Sequence, residues 1–513
     1  MHKINVRDLS SCEAQENETI LSALTRAGIA VSAPCGGRGI CGNCGVFLLE
    51  GKILLNGKEL ESGGIFPSCR GMPISDITIE IPAENTGIIN AFKKEKTKRK
   101  KIIRAGAALD LGTTTVQLEL VDLDTGESLE TLSALNAQRN FGADVMSRIN
   151  AARNGKTKEL FSAINRQIED MLKHCISEWN LSGIEQCNVS GNTTMLHLFC
   201  GVNPGGMGEV PFTPVFLEER FFTGPEIGLS AGKITLLPGI SAFVGADIVS
   251  GLAFLDILNH RENTLLADIG TNGEIALWRK NEQRLLCAST AAGPCFEGAE
   301  ISCGMGATTG AINHIYINGK PAAKKNETIF NSGLLSFTTL ENIQPRGVCG
   351  SGLIDALAAM IKLGAIDETG ALTEEFAEKG FPLTGTIFLT QKDIRQFQLA
   401  KSAIFSGITV LGKRAGLGSL LDIETVYIAG GLGFFVNLEN SVTAGLLPAE
   451  FSAEANGKSR TAVCGNTSLK GAVQSLLNPE FLTRCKEIVL RSDTADLAAA
   501  PDFSEAFAEN MYF

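Results

Sequence analysis

Ala107-Ala108-Leu109-Asp110-Leu111-Gly112-Thr113-Thr114-Thr115 recurs 158 residues downstream as Leu265-Leu266-Ala267-Asp268-Ile269-Gly270-Thr271-Asn272-Gly273. Each copy is a short apolar run that ends in Asp-x-Gly-Thr. Such runs bounded by glycine turns read as buried strands. The long separation suits two related domains, because solenoid repeats recur every 20–50 residues. A third glycine turn, Val426-Tyr427-Ile428-Ala429-Gly430-Gly431-Leu432-Gly433, follows another β-branched run.

These turns carry a phosphate-binding reading. Glycine admits close backbone approach, while the amides and side chains of Gly112, Thr113, Thr114 and Thr115, and of Gly270, Thr271, Asn272 and Gly273, can meet phosphate oxygens. Asp110 and Asp268 would hold Mg2+ through water, since that ion keeps several of its waters. Gly430 and Gly431 would leave room for a nucleoside. One D-x-G-T is weak evidence, because turns favour these residue types anyway. Three such elements in order, two of them related, are much harder to dismiss. The sequence contains no G-x-x-x-x-G-K-[ST], so it is not a P-loop protein.

The other chemical signature lies near the start. Cys35-x5-Cys41-x2-Cys44 is followed after 24 residues by Cys69, with Gly36, Gly37, Gly39 and Gly42 among the intervening residues. Iron–sulfur clusters need four thiolates and a backbone that wraps tightly, and plant-type [2Fe–2S] proteins use C-x4-C-x2-C…C. Here the first gap is one residue longer. Zinc is the alternative, but its ligands usually come as two close pairs, whereas Cys69 stands alone. We therefore expect a [2Fe–2S] cluster on Cys35, Cys41, Cys44 and Cys69. The other ten of the fourteen cysteines lack close ligand spacing and read as small buried hydrophobes.

Around that motif, Ile20, Leu24 and Ala27 share a helical face with Gly28 placed to end it, and residues 76–81 alternate as a strand closed by Pro82. The run Lys93-Lys94-Glu95-Lys96-Thr97-Lys98-Arg99-Lys100-Lys101 reads as a solvated linker. The expected division is therefore 1–92, a linker at 93–104, 105–255, 256–470, and a return segment at 471–513.

Bulk composition narrows the partners. The chain has 513 residues, a net charge of −11 and only 2 Trp and 3 Tyr, which argues against a nucleic-acid partner. No apolar run is long enough to span a membrane, and the opening MHKINVRDLSSCEAQENE has no secretory h-region. A cytoplasmic location is expected.

The three glycine turns resemble the phosphate-1, phosphate-2 and adenosine motifs of the superfamily that joins acetate kinase, sugar kinases, heat-shock chaperone ATPases and actin (the ASKHA superfamily). On that likeness Val189-Ser190-Gly191-Asn192-Thr193-Thr194-Met195-Leu196-His197 would be the first connecting segment, and Gly471-Ala472-Val473 would start the second. A cysteine module joined to such an ATPase resembles the reductive activators of corrinoid proteins. So do Ala292-Gly293-Pro294-Cys295-Phe296-Glu297-Gly298-Ala299, Gly347-Val348-Cys349-Gly350-Ser351-Gly352-Leu353, Gln391-Lys392-Asp393-Ile394-Arg395 and Gln398-Leu399-Ala400-Lys401. One departure is the short basic linker, where the family carries a longer segment.

The resemblance implies a multidomain α/β fold. It would comprise an N-terminal β-grasp [2Fe–2S] ferredoxin domain and a two-lobed actin-like ATPase with duplicated ribonuclease-H-like subdomains. It also implies an ATP-dependent activity that passes one electron from the cluster to Co(II) of a corrinoid protein, regenerating Co(I) for methyl transfer. An external electron donor is implied, and the oligomeric state stays open, a homodimer included. Plant-type clusters lie near about −400 mV, so reduction of Co(II) runs uphill. ATP can help only by binding two states of the protein differently.

Other classes remain at this stage: a small-molecule kinase with an accessory cluster, an activator of another low-potential enzyme, or a plain electron carrier. Among individual residues, Asn192 and Thr193 suit phosphate or water contact. Asp247 reads as a helix N-cap or as a group that orients the attacking water. Glu274 and Glu297 are similar candidates, so the general base is open. His197 reads as a satisfied core histidine.

Overall fold

Alternating burial builds the first module from short strands: β1 (His2–Val6), β2 (Ser11–Ala14), β3 (Gly45–Glu50), β4 (Lys52–Leu55), β5 (Lys58–Glu61), β6 (Gly64–Pro67), β7 (Gly71–Pro73) and β8 (Ile77–Glu80). Five of them form the sheet β2-β1-β8-β3-β6, in which β1 and β8 run parallel, and β5-β4-β7 forms a second, smaller sheet. The helix Ile20–Arg26 starts at Thr19, whose hydroxyl accepts from the Ser22 amide. It buries Ile20, Leu21, Ala23 and Leu24 in a core that also contains Ile4, Val46, Leu48, Phe66, Ile77 and Ile79. This is the expected β-grasp arrangement, with the predicted strand at Ile77–Glu80.

The computed structural model describes the chain apart from residues 1, 8–10, 28, 30, 32–43, 62, 82–87, 90–103, 318–327, 432–435, 453–460 and 498–499. Gly28, Pro82, the basic run at 93–101, Leu432 and Gly433 therefore lie outside the described residues, as do Cys35 and Cys41. The chain forms two units, Met1–Ala246 with Ala472–Glu480, and Asp247–Gly471 with Phe481–Phe513.

After the ferredoxin-like module, the first unit contains β9 (Ile88–Ile89), β10 (Ala105–Leu111), β11 (Thr115–Asp122), β12 (Ser128–Leu135), β13 (Ile184–Gly191), β14 (Arg220–Thr223) and β15 (Ala231–Leu236). They pair in the order β14-β15-β13-β10-β11-β12-β9. β10 and β11 are antiparallel, while β13 lies parallel to β10 on its other side.

The second unit repeats that plan with β16 (Thr264–Ile269), β17 (Gly273–Arg279) and β18 (Arg284–Thr290) as the meander. A side sheet holds β19 (Ala311–Ile317), β20 (Phe330–Asn331), β21 (Leu335–Thr339) and β22 (Gly347–Val348), and β23 (Phe381–Pro382) pairs with β24 (Phe388–Leu389). β25 (Thr425–Ala429), β26 (Thr461–Gly465) and β27 (Ser492–Thr494) complete the main sheet, β26-β25-β16-β17-β18-β27.

The segments β12-β11-β10-β13-β15 and β18-β17-β16-β25-β26 have the same order and the same strand senses. The sequence repeat is thus a duplicated subdomain. In both central strands every residue is buried except the aspartate, Asp110 in β10 and Asp268 in β16. Strands covered on both faces read as continuous apolar runs, so a carboxylate at the carboxyl end of each marks a ligand-facing position.

The chain passes between the units three times: at Ala246–Asp247, in the helix Ala246–Phe254; at Gly471–Ala472, in the helix Thr467–Leu477; and at Glu480–Phe481. Val189–His197, expected to be the first connection, lies wholly within the first unit. There β13 pairs beside β10, and the following helix Thr193–Phe199 is held by Asn165, whose Nδ2 donates to the Phe199 carbonyl at 3.0 Å. Asp247 is likewise in the first turn of its helix instead of capping it. The acidic stretch near the end forms the helix Pro501–Glu509 and packs Phe503, Ala506 and Phe507 on the second unit's core.

Candidate functional site

In the first unit the last strand pair before the turn is Leu111–Val116, with Gly112, Thr113, Thr114 and the first β11 residue, Thr115, between the paired residues. The Gly112 amide donates to the Thr115 carbonyl at 3.0 Å, closing it. Asp110 stands opposite Gln117 on β11 and Ser190 on β13. Asn192 follows β13 and caps the helix Thr193–Phe199, its Oδ1 accepting from the Met195 amide at 3.0 Å. Its Nδ2 donates to Thr113 Oγ1, also at 3.0 Å. Thr193 Oγ1 donates to the Ser241 carbonyl at 2.6 Å. Asn192 and Thr193 are therefore beside the turn, with side chains that hold its scaffold.

In the second unit the pair Ile269–Gly273 leaves a shorter connection, Gly270–Thr271–Asn272, closed by the Gly270 amide on the Asn272 carbonyl at 3.0 Å. One residue fewer changes what faces Asp268: its cross-strand partner is Glu274. Glu274 is 7 % exposed. Burial pushes its carboxyl well above the usual range, the charges of Asp247 and Asp268 push further, and a hydrogen bond from Asn272 opposes them. Thr271 Oγ1 donates to Glu297 Oε2 at 2.5 Å, and the Gly293 amide donates to the Thr271 carbonyl at 2.8 Å. The three candidates for the base, Asp247, Glu274 and Glu297, thus gather around the Asp268 turn.

Gly430 follows β25, the strand parallel to β16, and sits at φ +97°, a region that side-chain-bearing residues rarely adopt. A Cβ there would lie 2.5 Å from the Ile269 carbonyl oxygen and 2.6 Å from Asp268 Oδ1, whereas one on Gly431 would meet nothing within 4 Å. The pair packs against the aspartate on one side and opens into free space on the other.

In the ferredoxin-like module, Cys44 precedes β3 and Cys69 follows β6. The Ser68 amide and hydroxyl both donate to the Cys44 carbonyl, at 2.9 and 2.8 Å, and Ser68 is fully buried. This brings the two cysteine segments to the same end of one strand pair, as a shared cluster requires. His197 is buried and stacked on Phe216 at 4.1 Å. Its Nδ1 lies 2.7 Å from the Thr193 carbonyl and its Nε2 accepts from the Val215 amide at 3.0 Å, which assigns the neutral Nδ1–H tautomer. Burial lowers its pKa, so it acts as a core histidine.

Sequence reading missed Asn136. It is fully buried, its Nδ2 donates to the Gly112 carbonyl at 2.8 Å, and its own amide donates to the Thr114 carbonyl at 2.8 Å. An asparagine before a helical turn is legible as a cap, and it does cap Ala137–Asn140. Its reach back to a turn 24 residues earlier has no local signal.

Known proteins resemble the whole chain. Residues 5–73 match the 2Fe-2S iron-sulfur cluster binding domain, residues 105–260 the RACo middle region, and residues 262–513 the C-terminal domain of RACo, the ASKHA domain. The corrinoid activation enzyme RamQ of Eubacterium limosum is 31% identical over 440 residues, covering 80% of this chain and 70% of the relative. A [Co(II) methylated amine-specific corrinoid protein] reductase of Methanosarcina barkeri is 30% identical, covering 79% of this chain and 76% of its own. Among solved structures, a reductive activator for a corrinoid, iron-sulfur protein superimposes with TM-score 0.72 and 28% identity, across 100% of this chain and 98% of that one. Among the described residues no helix is long and apolar enough to cross a membrane.

Proposed function

The chain belongs to the family of reductive activators of corrinoid proteins, and on that premise we propose how its residues divide the work. It is an ATP-dependent enzyme that delivers one electron from a [2Fe–2S] cluster to a corrinoid protein, returning Co(II) to Co(I). The observation that carries this reading is the fusion itself: one chain joins the cluster module to a duplicated nucleotide-binding fold.

Cys35, Cys41, Cys44 and Cys69 hold the cluster, which supplies one-electron transfer when bound; the fit of Cys44 and Cys69 at one end of β3 and β6 supports it. The cluster domain would span 1–92 and a basic linker 93–104, with lobes at 105–255 and 256–470 and a return segment at 471–513. Asp110 and Asp268 orient the hydrated Mg2+ of the nucleotide. Gly112 to Thr115 and Gly270 to Gly273 offer amides and hydroxyls to the phosphates. Gly430 and Gly431 admit the nucleoside, Asn192 and Thr193 keep the first turn in shape, and Asp247 beside Glu274 orients the attacking water. ATP favours the state of the enzyme that binds it better, and that difference is the available work.

The test uses the full chain with its cluster reconstituted. Iron, sulfide and EPR analysis should report a [2Fe–2S] centre. With reductant, Mg-ATP and a candidate corrinoid protein, the Co(II) absorption should give way to Co(I). Cys69→Ala should abolish that conversion while leaving ATP hydrolysis intact. A Co(II) signal that ignores ATP across the candidate corrinoid proteins would sink the reading.

A further inference from the structure

The helix Gln391–Arg414 has one face on the nucleotide turn and another on the segment that follows the helix Pro501–Glu509. On the first face, a Cβ at Gly273 would fall 2.0 Å from Ile404 Cδ1, and one at Gly407 would fall 2.7 Å from Thr290 Cγ2. Glycine at 273 is thus required for the turn to sit directly on this helix. On the other face, Lys401 is 2 % exposed, and its ammonium is spent on neutral groups of one short segment. Its Nζ donates to the Asn510 carbonyl at 2.8 Å and to the Tyr512 carbonyl, and lies 4.8 Å from the Phe513 ring centre. Gln398 Nε2 donates to the Met511 carbonyl at 2.6 Å, Ser402 Oγ donates to the Phe507 carbonyl, and Asn510 Nδ2 donates to Ser406 Oγ at 3.1 Å. A buried lysine is among the most expensive residues to place, and its burial here organises the segment Phe507–Phe513.

The aromatic rings continue the connection. Phe513 stacks on Phe397 at 6.3 Å, and Phe397 meets Phe296 edge-on at 5.8 Å. Phe296 and Phe397 are buried. The next residue after Phe296 is Glu297, the carboxylate that accepts from Thr271 in the turn. The connection runs by ring contacts from Phe513 through Phe397 to Phe296, along the chain to Glu297, and by a hydrogen bond to Thr271.

We propose that Phe507–Phe513 is a buttress of the nucleotide turn, and that Phe513 is a positioning residue which acts through Phe397 and Phe296 to hold Glu297 against Thr271. The assignment rests on Gly270–Gly273 being the nucleotide turn, as proposed above. Removing the ring leaves the fold standing, because Phe513 is only partly buried, but it loosens the anchor of the turn.

The experiment measures corrinoid-stimulated ATP hydrolysis of the full, cluster-loaded chain in Phe513→Ala, Phe513→Tyr and Thr271→Ala. An aromatic stacking contact of this kind predicts a rise of about three- to tenfold in KM for ATP in Phe513→Ala, with kcat nearly unchanged. Phe513→Tyr, which keeps the ring, should restore the KM. If Phe513→Ala lowers kcat or the melting temperature with KM unmoved, or changes nothing, the segment is merely structural and the buttress is overturned. Thr271→Ala separates the two readings. Normal turnover and KM in Thr271→Ala would overturn the nucleotide assignment, and the buttress with it. Impaired Thr271→Ala beside an unmoved KM in Phe513→Ala overturns the buttress alone.

Discussion

The two strand–turn–strand elements share a topology and differ in charge. In the first unit the carboxylate of Asp110 faces Gln117 across the meander, and the next strand delivers an amide and a hydroxyl, Asn192 and Thr193. In the second, Asp268 faces Glu274, and the strand in the equivalent place delivers two glycines, Gly430 and Gly431. Duplication supplied the same backbone twice, and one residue less in the second turn changed the cross-strand partner from an amide to a carboxylate. On the proposed reading the second element has two carboxylates near a hydrated cation and the space for a nucleoside, while the first pairs its single aspartate with neutral donors for phosphate oxygens. Equivalent positions in a repeated fold thus need not have equivalent neighbours.

The sharpest way to break that comparison is Asp268→Asn against Asp110→Asn. Loss of the carboxylate in the charged element should lower ATP turnover by about 10²-fold and shift its Mg2+ dependence to higher concentration. Asp110→Asn, which removes the carboxylate whose cross-strand neighbour is the neutral Gln117, should lower turnover with a smaller shift. Identical Mg2+ titrations for the two variants would show that the elements are not divided in this way.

Gly430→Ala tests the space on the second side. The added methyl meets the Ile269 carbonyl and the Asp268 carboxylate at a positive φ, so a stability loss of about 1–3 kcal/mol should accompany weakened ATP binding. Urea denaturation with and without ATP separates the two effects, and Gly431→Ala, whose Cβ meets nothing, serves as the control for stability.

Asn136→Ala probes the side-chain brace of the first element. It leaves the half-buried Gly112 carbonyl without its amide donor, which predicts a loss of about 1 kcal/mol in chemical denaturation. A comparable effect belongs to Thr113→Val. It removes the hydrogen bond from Asn192 and should destabilise by about 0.5–1.5 kcal/mol. If Thr113→Val proves more damaging to ATP turnover than Asp268→Asn, the polar side of the site carries the chemistry and the comparison must be reversed.

The sequence by itself determined what depends on neighbours along the chain. Asp-x-Gly-Thr after an apolar run is a local statement about a buried strand that ends in a turn, and both copies form that shape. Cysteine spacing and the helix over Ile20–Arg26 are local in the same sense. Tertiary structure decided what depends on register and packing. Whether Asp268 faces Glu274 or the following residue turns on a single residue of loop length. Asn136 reaches Gly112, and Glu297 reaches Thr271, across 24 and 26 residues. The passage at Ala246–Asp247, where the sequence suggested a boundary at 255–256, depends on which residues pack with which sheet. Such pairings are set by which buried surfaces fit together, and short-range spacing carries no record of that.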